Sequence, residues 1–197
     1  MAVSGLFIFS PHAAAREVYD NINTDTVWRL ADSPITVIGN LTVTGGARLS
    51  IEPGVVVLFN SGTGLNLSNA SLSALGTSAD PIYFTSHNDA SAGGSGSPAP
   101  GDWGSIILDA SSATLANVKL RYGGSIYGAM LYLQNNSTLA FVGGEAAHSA
   151  ANGIFAQGSA LSVSSVTFQD GPGWAIYSSD SAVPLLANNT FNGYAIQ

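Results

Sequence analysis

The chain contains no cysteine and few charged residues among its 197 positions. The absence of cysteine excludes disulfide bonds, thiol catalysis and cysteine-containing metal sites, so packing and backbone hydrogen bonds must hold the fold together. Only 9% of the residues are charged, and Glu, Lys and Arg, which favour helices, are therefore scarce. The composition indicates a β-rich chain with many turns.

Positive charge is the scarcest kind, with 5 Lys and Arg residues against 12 Asp and Glu residues and a net charge of −7. Such a chain repels a polyphosphate backbone and has no polybasic patch for a membrane surface, so we expect no nucleic-acid partner. Apolar runs of the roughly eighteen residues that span a bilayer are also missing, and we expect no transmembrane segment.

The first fifteen residues carry a short apolar stretch, residues 3–9, followed by three alanines at 13–15. This pattern is typical either of the end of a signal peptide, although the charged n-region is missing, or of an N-terminal segment that caps the fold. Residues 16–34 lack the repeat described next and are expected to form an N-terminal cap.

From residue 35 onward, apolar residues alternate with polar ones in short triplets about eight residues apart. The apolar residues stand at the first and third positions of each triplet, in the pairs Leu41/Val43, Leu49/Ile51, Val57/Phe59, Leu65/Leu67 and Leu72/Ala74. Alternation predicts strands with one buried face, and matching every third triplet pairs Leu41 with Leu65, Leu49 with Leu72 and Val57 with Ile82. The sequence therefore predicts a parallel β-helix solenoid over residues 35–197, with three short strands per coil and about seven coils. An antiparallel sandwich offers no reason for this three-phase repeat.

A Gly/Ser/Pro-rich segment at 87–102 interrupts the repeat and is predicted to be a long loop at a coil corner. Trp103, directly after it, is expected to bury its ring and give its N–H to a carbonyl, which would anchor the loop to the tube. The repeat runs into Gln197, so we expect self-association or continuation through the C-terminal coil.

Glycine-led segments repeat in the second half of the chain, and they begin at Gly104, Gly128, Gly153, Gly173 and Gly193. Aligning them places a set of Tyr and Gln residues at one outward position: Tyr132, Gln157, Tyr177 and Gln197. The residues just before them, Leu131, Ala156, Ile176 and Ile196, should point inward. Tyr and Gln can stack on sugar rings and hydrogen-bond to them, so this column is the candidate ligand-binding site. The alternative is aromatic stacking that stiffens the face, and an alignment error of one residue would turn the column inward.

Several motifs occur in order along the chain: Ile35-Thr36-Val37, Leu49-Ser50-Ile51-Glu52-Pro53-Gly54-Val55, Pro81-Ile82-Tyr83-Phe84-Thr85-Ser86, Gly101-Asp102-Trp103-Gly104 and Arg121-Tyr122-Gly123-Gly124. Together they resemble bacterial secreted or cell-surface proteins with a right-handed parallel β-helix of the pectate-lyase-like fold. The resemblance implies an extracellular location better than it implies an activity, because a fold does not supply a reaction.

Chemistry-bearing residues do not form a recognisable catalytic pattern. Asp109, Asp170 and Asp180 are isolated, and the basic pair Lys119 and Arg121 is expected on a solvated face. The three histidines, His12, His87 and His148, lack the spacing of metal ligands, so we predict neither a metal site nor a cofactor.

The sequence thus favours a non-catalytic extracellular module, structural or adhesive, that binds a polysaccharide along one outer face. A polysaccharide lyase or glycoside hydrolase is the first alternative, with carboxylates brought together from distant coils. Ice binding is the second, and it would need a flat, regular threonine array of which only Thr42 and Thr44 are visible.

Overall fold

The computed structural model describes residues 16–195 of the chain. These residues form an all-β parallel solenoid of about eight turns, as predicted for a right-handed β-helix. Residues 1–15, where the signal-peptide expectation falls, lie outside the described residues, and so do Ile196 and Gln197.

Eighteen strands make up the solenoid over residues 16–195. In chain order they are β1 (Arg16–Val18), β2 (Thr26–Trp28), β3 (Ile35–Val37), β4 (Leu41–Val43), β5 (Arg48–Ile51), β6 (Val56–Phe59), β7 (Leu65–Ser68), β8 (Ser71–Leu75), β9 (Ile82–Ser86), β10 (Ile106–Asp109), β11 (Ser112–Arg121), β12 (Ala129–Gln134), β13 (Thr138–Ala147), β14 (Asn152–Gln157), β15 (Ala160–Gln169), β16 (Ile176–Ser179), β17 (Leu185–Ala187) and β18 (Thr190–Asn192). Two single 3-10 turns, Leu30–Asp32 and Ala90–Ala92, are the only helical elements among the described residues.

The strands lie on three faces. Face B is the six-stranded sheet β4-β7-β10-β12-β14-β16. Face A carries β1, β3, β6, β9 and β18, and face C carries β2, β5, β8 and β17. The long strands β11, β13 and β15 run along face C in their first half and along face A in their second. This confirms three strands per coil.

Each strand pairs in parallel with its equivalent one coil later, and two of the three predicted pairs are correct. Leu41 lies opposite Leu65, and Leu49 lies opposite Leu72. The third differs, because Val57 pairs with Phe84 and not with Ile82. The connection between β6 and β9 contains two more residues than the repeat predicts, so the register shifts by an even number and the buried side stays buried.

Inward side chains form columns that fill the tube. Face B contributes Leu41, Leu65, Ile106, Leu131 and Ile154, which are all at most 1% exposed. Face A adds a column with Phe84, Leu120 and Phe168. Burial of apolar area at about 25 cal/mol per Å² stabilises such a stack, since the chain has no cysteine for a disulfide bond and its described residues form no long helix.

One residue turns the chain from face C to face A in the three long strands. Asn117, Gly143 and Ser165 lie opposite one another and have positive φ angles of 47°, 66° and 56°. The Nδ2 of Asn117 donates to the carbonyl oxygen of Gly76 at 3.1 Å, which satisfies a backbone group at the bend. Gly144 follows the bend with φ 104°, and a Cβ there would overlap the backbone of Val118. The corner therefore tolerates only glycine at position 144.

The long loop lies between β9 and β10 and is held by two aspartates. Asp89, 2% exposed, accepts hydrogen bonds from the Thr85 hydroxyl at 2.8 Å and from the Ser91 hydroxyl at 2.6 Å. Asp102 accepts from the Ser86 hydroxyl at 2.6 Å. Trp103 then enters the core with 0% exposure, stacks on Phe59 at 4.4 Å and donates its Nε1–H to the Arg121 carbonyl at 2.6 Å. The expected anchoring role of Trp103 is confirmed.

Residues 16–34, expected to form an N-terminal cap, contain strands of the ladder itself. β1 pairs with β3, β2 pairs with β5, and Ile22 bridges to Val43. Their coil is the reason why the solenoid has about eight turns where the repeat predicts about seven.

We expect Gly144→Ala to lower the free energy of unfolding by about 3 kcal/mol, because the new Cβ meets backbone that cannot move without disturbing two coils. Gly46→Ala is the matched control. Gly46 also has a positive φ, 79°, but a Cβ there meets nothing within 4 Å, so only about 1 kcal/mol should be lost. Urea unfolding followed by circular dichroism measures both, and equal losses would contradict this account of the corner.

Candidate functional site

The outer surface of face B carries a column of side chains that runs along the solenoid axis. The register places these residues opposite one another: Thr42, Asn66, Ile107, Tyr132, Phe155 and Tyr177. Their spacing is that of neighbouring strands, about 4.8 Å. The first half of the column is polar or aliphatic, and the second half is aromatic.

The three rings of the aromatic half and a fourth ring from a neighbouring turn form one continuous stack. Tyr127, from the turn before β12, lies parallel to Tyr132 with 4.9 Å between ring centroids. Tyr132 meets Phe155 edge-on at 5.2 Å, and Phe155 meets Tyr177 edge-on at 4.9 Å. Such contacts add about 0.5–1.5 kcal/mol each beyond the buried area, so the column is a stiff element of the surface.

The alignment that predicted the column contains one error among the described residues, at Gln157. Tyr132 and Tyr177 share the column, but Phe155 stands between them, and Gln157 lies two residues further along β14. The error arises because Gly153 lies inside its strand, whereas Gly128 and Gly173 precede theirs. Phe155 could have been found from its alternation with the buried Ile154. The remaining predicted member, Gln197, lies outside the described residues.

Gln157 nevertheless contacts the column, since its Oε1 accepts a hydrogen bond from the Tyr132 hydroxyl at 2.7 Å. Tyr132 points outward but is covered by its neighbours and is only 7% exposed. Burial, followed by the nearby Tyr127, Asp180 and Asp109, raises the pKa of Tyr132 above its ordinary value, so the hydroxyl remains a donor. The exposed aromatic surface belongs instead to Tyr127, 58% exposed, and to Tyr177, 38% exposed.

A second outward column lies beside the first, two residues further along each strand. It contains Ser68, Asp109, Gln134, Gln157 and Ser179. Asp109 accepts a hydrogen bond from the Asn135 Nδ2 at 2.6 Å. Face B thus presents aromatic rings next to a line of hydroxyl, carboxamide and carboxylate groups.

A depression of about 290 Å³ opens where the aromatic half of the first column gives way to the polar half. Thr42, Asn66 and Ile107 contribute to its floor, and Ile126 and Tyr127 border it. The Oδ1 of Asn66 is buried and has no hydrogen-bond partner. An unpaired buried acceptor is costly, and no described group satisfies this one.

The aspartates do not converge into a catalytic pair. Asp109 lies on face B, and Asp180 follows Ser179, which is three strand spacings away, or about 14 Å. Asp170 lies at a different corner, where it is 3.5 Å from the His148 Nδ1. Glycoside hydrolysis needs two carboxyl groups about 5–9.5 Å apart. Among residues 16–195 no group of three or more His, Asp and Glu residues could hold a metal ion.

The basic pair on face A is engaged within the protein. Arg121 forms a bidentate ion pair with Glu145, with its Nε 2.6 Å from Oε1 and its Nη2 3.3 Å from Oε2. Arg121 and Lys119 both lie over the ring of Tyr83, at 5.5 and 5.2 Å. The pair was expected to be solvated, but the Arg121 side chain is only 20% exposed.

Comparisons with protein-family models, with curated proteins and with solved structures find no match to this chain. The helical turns of the described residues are too short and too polar to cross a membrane. The class of protein is thus defined by the geometry alone: the chain is a parallel β-solenoid with an aromatic column on one outer face.

We expect Tyr132→Ala to lower the free energy of unfolding by about 3 kcal/mol, because it removes the centre of the ring stack and leaves Gln157 unpaired. Tyr132→Phe keeps the ring and should cost only about 1 kcal/mol. Chemical denaturation of the two variants distinguishes the contribution of the ring to the free energy of unfolding from that of the hydroxyl. Equal losses would show that the hydrogen bond, and not the stack, holds the column.

Proposed function

We propose that the chain is a non-catalytic extracellular module, a β-helix of the pectate-lyase-like kind from a bacterial secreted or cell-surface protein, that binds an extended polysaccharide along face B. The observation that carries the proposal is the line of rings Tyr127, Tyr132, Phe155 and Tyr177 on a straight outer surface. The support for the location is the set of motifs noted in the sequence.

The shape of the surface favours a polymer over a compact metabolite. Compact ligands bind in clefts that enclose most of their surface, whereas the outward columns of a solenoid extend over many coils. The exposed rings of Tyr127 and Tyr177, at the two ends of the ring line, can contact different sugars of one chain, and the neighbouring column offers Gln134, Gln157 and Asp109 for their hydroxyls.

We expect Tyr177→Ala to weaken polysaccharide binding about tenfold, because its exposed ring is lost while the buried Tyr132 is kept. Tyr19→Ala is the matched control, since Tyr19 is 61% exposed and follows β1 on face A. Affinity electrophoresis in gels containing single polysaccharides measures the retardation of each variant. Equal weakening by both substitutions would contradict a site on face B.

A lyase or hydrolase is the alternative in which dispersed carboxylates act together. The distance of about 14 Å along the axis between the levels of Asp109 and Ser179 argues against it. Incubation with pectin, alginate and neutral glycans should therefore yield no new reducing ends and no unsaturated products. Turnover that disappears in Asp109→Asn or Asp170→Asn would replace the binding proposal with an enzymatic one.

Ice binding has less support. The column that begins with Thr42 continues with Asn66, Ile107 and Tyr132, and the matching column of face C contains Ser50, Ser73, Thr114, Ala140 and Ser162. Neither is a regular threonine array.

The proposal also includes self-association through the C-terminal coil. Three exposed apolar side chains support it, since Val183, Leu185 and Leu186 are 75%, 69% and 48% exposed. Apolar groups this exposed on neighbouring positions are a common feature of contact surfaces.

A further inference from the structure

We infer that face B selects an uncharged polysaccharide, and that the depression bordered by Tyr127 holds one of its sugar units. This inference rests on the proposed function and adds the chemical class of the ligand and the place where it is recognised. The contacts and charges of face B carry it.

The strands of face B carry almost no charge. The six strands of face B contain no Lys or Arg, and Asp109 is the only charged residue in them. The five cations of the chain lie elsewhere, in or beside strands of faces A and C: Arg16, Arg29, Arg48, Lys119 and Arg121. A uronate carboxylate laid on face B would lose water without gaining a cationic partner, and Asp109 would repel it.

The depression supplies what an uncharged sugar needs. Tyr132 covers one face of the Tyr127 ring, and the exposed remainder of that ring borders the depression. A pyranose presents C–H groups on its flat side, which pack against an aromatic ring, and hydroxyl groups at its edge. Ile107 offers an apolar floor, and the polar side chains of Thr42 and Asn66 also line the depression. None of these contacts requires a charge on the ligand.

The volume is consistent with one sugar unit of a longer chain. At about 290 Å³ the depression lies at the lower limit of small-ligand clefts, which run from roughly 300 to 1,000 Å³. The column continues past it toward Phe155 and Tyr177, so the rest of the polymer would lie along the rings. The depression then fixes the register of the polymer.

The test compares neutral with acidic polymers. The folded protein is run by affinity electrophoresis in gels containing hydroxyethylcellulose, mixed-linkage glucan or galactomannan, and in gels containing polygalacturonate or alginate. We expect at least one neutral polymer to retard the protein. The retardation should be the same at about 50 mM and about 500 mM NaCl, because no ion pair is involved. Acidic polymers should not retard the protein.

Substitutions then locate the site. Tyr127→Ala should weaken neutral-polymer binding about tenfold, whereas Tyr19→Ala, an equally exposed tyrosine elsewhere, should leave it unchanged. Thr42→Lys places a cation in the lining of the depression and should create weak, salt-sensitive binding of polygalacturonate if the lack of cations is what excludes this polymer.

The failures are distinguishable. Retardation by acidic polymers that is lost in Tyr127→Ala would overturn the uncharged class and keep the site on face B. Retardation by acidic polymers that is lost in Lys119→Ala and kept in Tyr127→Ala would move binding to face A and overturn both proposals. Absence of retardation by every polymer would overturn both as well.

Discussion

The parallel backbone ladder between successive coils is the constraint on which the rest of the structure depends. Each strand hydrogen-bonds to its equivalent in the next coil, so residues at one position line up as a column with a fixed spacing of about 4.8 Å. Inward columns are then largely apolar, because a buried polar side chain needs a partner. The buried serines Ser111, Ser137 and Ser159 find one between coils, since the Oγ of Ser137 accepts from the Ser111 N–H and the Oγ of Ser159 accepts from the Ser137 N–H. Outward columns are free to vary, and each becomes a straight line of side chains on the surface.

Alternation along the sequence was sufficient to predict the fold, because a period of two and a coil of three strands leave few other architectures. It was insufficient to predict the exact register. Both register errors, Val57 with Ile82 and Gln157 with Tyr132, amount to two residues. A shift of two keeps every apolar residue on the buried side, so the hydrophobic pattern is blind to it. Only the number of residues in each turn decides between the two registers, and that number differs from coil to coil.

Features that depend on side-chain contacts within loops and turns could not be predicted from the strand repeat. The sequence of the long loop resembles a flexible linker, yet the buried Asp89 and the carboxylate of Asp102 each gather several hydrogen bonds that order it. Tyr127 lies in a turn, outside the strand repeat, and joins the ring column only because the chain bends through a positive φ of 51° there. The candidate site therefore combines residues that alternation finds, such as Tyr132, with residues that only the folded turns bring beside them.

The same ladder that builds the outward columns also limits the chemistry that one face can carry out. A column repeats at the strand spacing, so two residues on one face come within reach of one bond only when they lie one or two coils apart. Catalysis on such a face needs several titratable groups in adjacent coils, and the described carboxylates of face B and its edge, Asp109 and Asp180, lie at levels three coils apart. The binding proposal needs no such convergence, because rings and amides at different levels would each contact a different unit of the proposed polymer. The partition of cations onto faces A and C leaves Asp109 as the only charged residue in the strands of face B, and this is the feature on which the proposal of an uncharged ligand depends.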